Sequence, residues 1–421
     1  MNKKILMICY YFPPLLDVGC KRSVAFAKYL KLHGWEPHVL SVRNPDKHYC
    51  RLGNESPPSG IPVNYAWSIV NVYWLYGKLN GLCNKITKFF NKELTKNYFH
   101  ILFSIPDLFF GWIPGATISG RNIIKDKKIN YIYVSCSPFS SAIVGIILKK
   151  ITNKKLIIDF RDPFAIFVSD IFKLPKFRVA ANKWIEKKII NNADLFIVNT
   201  EEVRDGYVAE YNGIDDKTFV LHNGFDHALM PKVKYEKFHK FTIVYGGNMY
   251  FYANKSLAFF EAISLLKENS LINKNNFQFQ YYGNDGVAIN SISKRLNISD
   301  LVFVNKSVSH EEMIDILLKS HAQLLRIVKP MISTKMFEGI ALNVPFVATI
   351  PDGEVANLIK KYSPSSCIIE SDCPKMICKS ILKIISEYQD GLVKDNLVKD
   401  FIEIFSREKI SLQLEALITK L

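Results

Sequence analysis

The stretch ISTKMFEGIALNVPFVATIPDGEVANLI, residues 332–359, runs from a helical pattern into a buried strand and then a polar turn. Ser333 reads as an N-cap, and TKMFEGIAL continues at helical spacing until Asn343 and Pro345 stop it. PFVATI (345–350) is then short, apolar and β-branched, which is how a strand buried on both faces looks. One residue is out of place. Lys335 falls in the first helical turn, where a cation opposes the helix macrodipole by about 0.3–1 kcal/mol. An anion at that helix end would make the position favourable.

The same alternation extends in both directions. Upstream of the linker described below, candidate strands are 3–12, 36–42, 131–136, 155–160, 195–200 and 218–225, with helical patterns between them such as KRSVAFAKYLKLHG (21–34). A second set follows at 241–247, 277–283, 301–306, 322–327 and 345–350. Strands alternating with helices predict an α/β chain of parallel layers. The length of 421 residues suits two domains of about 200 each. We place the first at 1–225, a polar linker at 226–240, the second at 241–395, and a C-terminal helical segment at 396–421 that packs back on the first domain. Residues 66–115 interleave aromatics with lysines without a clean period. They read either as a helical insertion packed on the first sheet or as a surface resting on anionic lipid.

Composition narrows the function. Lys+Arg 55 against Asp+Glu 39 gives a net charge of +16, which points to phosphorylated substrates, an anionic membrane surface or nucleic acid. A nucleic-acid partner is not expected, because no basic stripe or nucleic-acid motif is present. The 8 cysteines are scattered without a C-x-x-C pair, which argues against a zinc site or a disulfide framework. With neither a spanning run nor a cleavable leader in view, the expected location is the cytoplasm, with peripheral attachment at the inner face of the membrane as an option.

Several strand ends carry residues suited to ligands. YYFPPLLDVGCKRS (10–23) places Gly19 between the first strand and a basic helix start, where the backbone approaches a ligand closely; an ordinary βα loop reads the same way. It is not a G-x-G-x-x-G fingerprint, so a dinucleotide cofactor is disfavoured. IIDFRDPF (157–164) ends a buried strand with Arg161, suited to a carboxylate or phosphate, and Asp162, suited to a hydroxyl or to work as a base. The alternative is an internal Arg–Asp pair closing the loop. IVYGGNMY (243–250) ends in Gly246-Gly247, which leave room for a diphosphate, and YYGNDG (281–286) ends similarly at Gly283. A diphosphate at the N-terminus of 334–342 would meet the amides of Ser333 and Thr334 and the Lys335 ammonium. Glu338, one turn on, would accept ribose hydroxyls, and Glu354 in PDGE reaches the same edge. Lys335 and Glu338 as a plain i,i+3 pair is the competing reading.

Taken together, YYFPP…G…R…AKYL…GWE, SPFSS, DFRDPF, AD-FIVNTEE, HNGFD, YGGNMY, TKMFEGIALNVPFVA and the terminal FSRE resemble the bacterial retaining glycosyltransferases of GT-B fold, similar to glycosyltransferase family 4 (group 1). The resemblance implies two Rossmann-like domains facing each other across a cleft, and a metal-independent, hexosyltransferase-type enzyme of polysaccharide biosynthesis. It implies a nucleotide-sugar donor on the second domain, a glycan or lipid-linked acceptor on the first, and no cofactor or metal. The donor contacts implied are Gly19, Gly246, Gly247, Asn248, Lys255, Gly283, Ser333, Thr334, Lys335, Glu338 and Glu354. The acceptor contacts are Ser137, Arg161 and Asp162, and Asp162, Lys335 and Glu338 carry catalysis. Two positions depart from the pattern. Pro330 stands where the family has the first of two paired glutamates, and Asn248 where it has a phosphate-binding arginine, with Lys255 the nearest lysine. A nucleotide-sugar epimerase or a non-catalytic carbohydrate-binding relative on a similar fold remain the alternatives.

Overall fold

The computed structural model describes residues 3–16, 18–46, 50–53, 55–69, 72–89, 104–168, 174–230, 235–249, 251, 256–327, 332–394 and 398–421. Contacts divide the chain into two units, Met1–His222 with Ile410–Leu421, and Asn223–Lys409.

The first unit is built on β1 (Lys4–Ile8), β3 (Glu36–Val42), β5 (Val63–Ala66), β6 (Tyr131–Cys136), β7 (Lys155–Phe160), β8 (Leu195–Val198) and β9 (Thr218–Val220), with a short ladder of β2 (Leu15–Leu16) and β4 (Arg51–Leu52) beside it. Among the described residues the main sheet has 7 strands in the order β5-β3-β1-β6-β7-β8-β9. Every neighbouring pair runs parallel. Strands such as YIYVSC and KLIIDF are apolar nearly throughout because helices cover both faces of the sheet. The strand order reverses direction between β1 and β6, and their carboxyl ends lead to Gly19, in the first turn of the helix Val18–Leu32, and to Ser137.

The second unit is a sheet of 6 strands in the order β12-β11-β10-β13-β14-β15. These are β10 (Phe241–Gly246), β11 (Phe277–Tyr282), β12 (Val302–Asn305), β13 (Ala322–Arg326), β14 (Phe346–Thr349) and β15 (Cys367–Ile369). All pairs are again parallel. Here the order reverses between β10 and β13, the place where open α/β sheets take ligands.

The expected α/β class stands, with corrections of detail. β5 and β15 escaped the sequence reading because four and three residues are too few for a pattern. The strand read at 218–225 stops at Val220, because the carbonyls of Leu221 and His222 turn to the Arg22 guanidinium. The division between units falls at His222, so 226–240 belongs with the second unit, where Lys237 Nζ donates to Ser320 O at 2.7 Å. Within 396–421, Val398–Phe405 stays with the second unit, whereas Ile410, Leu414 and Ile418 lie in one core cluster with Ile5, Met7 and Phe26. Of 66–115, the helix Val72–Phe89 is described, and 90–103 lie outside the described residues.

Candidate functional site

The second unit draws several of the sequence candidates together. Ser333 caps the helix Thr334–Ala341, its Oγ accepting the Lys335 amide at 3.3 Å. Lys335 bends toward β10, with Nζ 4.3 Å from the Tyr245 ring centroid. The same Nζ would lie 3.1 Å from a Cβ built on Gly247. Gly247 has φ +96°, a backbone conformation that favours glycine, and any side chain there would crowd the ammonium. Gly283 lies against the Gly247 loop, since its Cβ would meet Gly247 O at 2.6 Å. The two glycine loops are laced by hydrogen bonds. Gly247 N donates to Tyr282 O at 2.7 Å, Met249 N to Asp285 Oδ2 at 2.6 Å, and Asp285 N to Tyr281 Oη at 2.8 Å. Tyr245 Oη donates to the carbonyl of Asn248, whose side chain is exposed.

Burial lowers the Lys335 ammonium from its ordinary 10.5 to about 8, and the neighbouring Glu338 charge opposes that shift. A lysine desolvated beside amide-bearing glycine loops at a helix start is suited to a bound diphosphate. Glu338, however, has a partner the sequence did not indicate. His310 Nε2 lies 2.8 Å from Glu338 Oε1, and His310 opens the helix His310–Lys319. A carboxylate accepts up to about four hydrogen bonds, so this contact and ribose hydroxyls are compatible. Gly246 packs on the same helix, its Cβ position 2.8 Å from Met313 Sδ. Arg326, at the end of β13, reaches back to the β10 loop through Met249 O at 3.4 Å and Ser256 O at 3.3 Å. It supplies a cation near the loop that carries Asn248. Glu354 begins the helix Glu354–Tyr362 after Gly353 and is half-buried. Lys255 and Pro330 lie outside the described residues.

In the first unit the structure rearranges the pairing. Arg161 is buried, its Nη2 donating to Ser137 O at 2.7 Å. Its guanidinium occupies the space over Gly19, where a Cβ would lie 1.9 Å from Nη1. Gly19 thus makes room for an arginine, and Gly19, Ser137 and Arg161 form one group. Asp162 is exposed beside them. A buried Arg–Asp pair of this region joins Arg22 to Asp159. Arg22 Nε and Nη2 donate to the two Asp159 oxygens at 2.8 and 3.0 Å, both side chains out of water. Arg22 also holds Leu221 O at 2.9 Å and His222 O at 2.6 Å. Its position in the G…R string was the available sequence signal.

Behind Asp162 the loop is tied down by Glu186, which is fully buried. Glu186 accepts from Ala165 N at 2.6 Å, Ile166 N at 3.3 Å, Tyr207 Oη at 2.9 Å and Tyr211 Oη at 2.8 Å, and Phe164 N donates to Tyr207 Oη at 2.9 Å. Burial, opposed by these bonds, pushes its carboxyl up to about 7. Among the described residues no cluster of metal-ligating side chains occurs, and no helix is long and apolar enough to cross a membrane.

Residues 22–229 match the family model described as Glycosyltransferase Family 4. No curated protein matches the sequence. Among solved structures, a glycosyltransferase from Rickettsia africae ESF-5 is similar at TM-score 0.66 and 16% identity, over 99% of this chain and 98% of that one. Anabaena Alr3699/HepE in complex with UDP and glucose is similar at TM-score 0.65 and 13% identity over 100% of both chains. A putative UDP-N-acetylglucosamine 2-epimerase from Listeria monocytogenes is similar at TM-score 0.58 and 11% identity, over 100% of this chain and 96% of that one. With two parallel sheets of matching architecture and the family match over most of the first unit, the chain is a glycosyltransferase of the GT-B fold, similar to Glycosyltransferase Family 4.

Proposed function

We propose that the chain moves a sugar, with retention of configuration, from a nucleotide-sugar donor to a glycan or lipid-linked acceptor in cell-surface polysaccharide assembly. The observation that carries this reading is the convergence of Lys335, Gly247 and Gly283 at one helix start of the second unit. As the glycosidic bond to the diphosphate breaks, the sugar becomes oxocarbenium-like and negative charge grows on the departing phosphate oxygens. The Lys335 ammonium and the amides of Ser333 and Thr334 stabilise that charge, while the glycine loops leave room for the phosphates. Glu338, steadied by His310, holds the ribose. In the first unit, Arg161 and Ser137 shape the acceptor side, and Asp162 positions the attacking hydroxyl or the sugar. No metal ion or cofactor enters this reading. UDP is the favoured nucleotide, since the Anabaena protein of the same fold is described with UDP and glucose. The +16 charge and the aromatic–lysine segments support work at an anionic membrane surface.

The similarity to a putative epimerase keeps a second reading in view. A panel of nucleotide sugars, incubated with and without a bacterial membrane-lipid extract, separates the two. Release of free nucleoside diphosphate that depends on the extract is the expected result. Interconversion of the sugars without release would make the chain an epimerase, and binding without turnover a non-catalytic relative. The anomeric configuration of the product, read by NMR, tests retention.

A further inference from the structure

The helix Lys176–Asn192 (KFRVAANKWIEKKIINN) presents an outer face that nothing above uses. Its exposed residues are Lys176, Phe177, Ala180, Trp184, Lys187, Lys188 and Asn191. At 3.6 residues per turn these positions share one arc of about 120°, a single stripe along the helix. Phe177 is 54% exposed and Trp184 63%, unusually high for large aromatics. They stand two turns apart in line, with Ala180 between them and lysines at both ends of the stripe. Lys188 Nζ lies 5.8 Å from the Trp184 ring.

The charge on this face is of one sign. The helix's one acid, Glu186, points the other way, to Ala165 N and the two tyrosines, with Asn182, Ile189 and Ile190 buried on the same inner side. Lys183, at the rim, pairs with Glu210 at 3.1 Å, so that carboxylate is already engaged. An aromatic row edged by lysines on a surface helix suits a flat anionic surface. The rings enter the headgroup boundary while the lysine stems lie along them and place their ammonium groups on phosphates.

We propose that this helix face docks the chain on anionic lipid. The inference rests on the membrane part of the proposed function, and moves the contact from 66–115, where Trp67 and Leu82 are also exposed, to Lys176–Asn192. The probe is the full chain sedimented with vesicles of phosphatidylcholine, with or without phosphatidylglycerol, at low and high salt. We expect binding to the anionic vesicles only, weakened by salt. Phe177→Ala/Trp184→Ala should reduce that affinity at least tenfold, Lys176→Glu/Lys187→Glu/Lys188→Glu should abolish it, and Trp67→Ala/Leu82→Ala should leave it unchanged. A blue shift of tryptophan emission on binding should disappear in Trp184→Phe. All these side chains are at the surface, and unchanged circular dichroism certifies folding. Wild-type binding that survives both helix variants overturns this docking face while leaving membrane attachment standing. Failure of the wild type to bind anionic vesicles overturns both.

Discussion

At the scale of single residues, the proposed chemistry concentrates on Lys335. A first-turn lysine is locally unfavourable, and burial against Tyr245 costs it further, as its lowered proton affinity shows. In the proposed donor site a bound diphosphate would offset both penalties. Lys335→Ala should cut transfer at least about tenfold, which is about 1.4 kcal/mol of transition-state stabilisation, with the melting profile unchanged. The ammonium loses its proton as pH rises through about 8, so kcat/KM for the donor should fall above that pH. A pH profile of Lys335→Ala should lack that limb; an identical profile would remove Lys335 from the donor site. Its place in the first turn after the Ser333 cap was legible from its neighbours in sequence, because capping acts within one turn. The pairings of Glu338 with His310 and of Asp159 with Arg22 were not, since they depend on which elements lie side by side.

At the scale of elements, the helix Lys176–Asn192 has one inner anchor. Glu186 gathers the amides of Ala165 and Ile166 and two tyrosine hydroxyls, fixing the loop that follows Asp162. Its raised carboxyl means that the folded chain binds this proton more tightly than the unfolded chain does. Between pH 4.5 and about 7 the folded state therefore holds more protons, and this group's contribution to stability falls as pH rises. The shift corresponds to about 3 kcal/mol across that window. Glu186→Gln should flatten this slope, measured as urea midpoints at pH 5 and 7.5. It should also lower stability at both, because an amide nitrogen then faces backbone N–H donors that cannot turn away. A wild-type slope retained in the variant would assign the pH dependence elsewhere.

At the scale of the whole molecule, the chain leaves the first unit at His222 and returns at Ile410. The returning helix fills a real gap. Leu414 and Ile418 are fully buried, and Glu415 receives Lys3 Nζ at 2.9 Å and Trp35 Nε1 at 3.0 Å. Leu414→Ala should destabilise the first unit by about 2–5 kcal/mol. Thermal unfolding should show that unit melting earlier while the second keeps its own transition. A uniform shift of both would mean that the units unfold as one.

What the sequence determined by itself was the α/β class, most of the alternation of helices and strands, the Ser333 cap and the glycine-ended strands. Those signals are local: periodicity, caps and turn residues act over a few positions. Only the tertiary structure decided strand order, the point within 396–421 at which the chain rejoins the first unit, and the place of Arg161 over Gly19. It also decided that Glu186 faces inward while Trp184 on the same helix faces out. The physical reason is that burial and long-range pairing are properties of neighbours in space. A parallel sheet sets those neighbours by the order of its strands, and strand order leaves no mark in the sequence of any one strand.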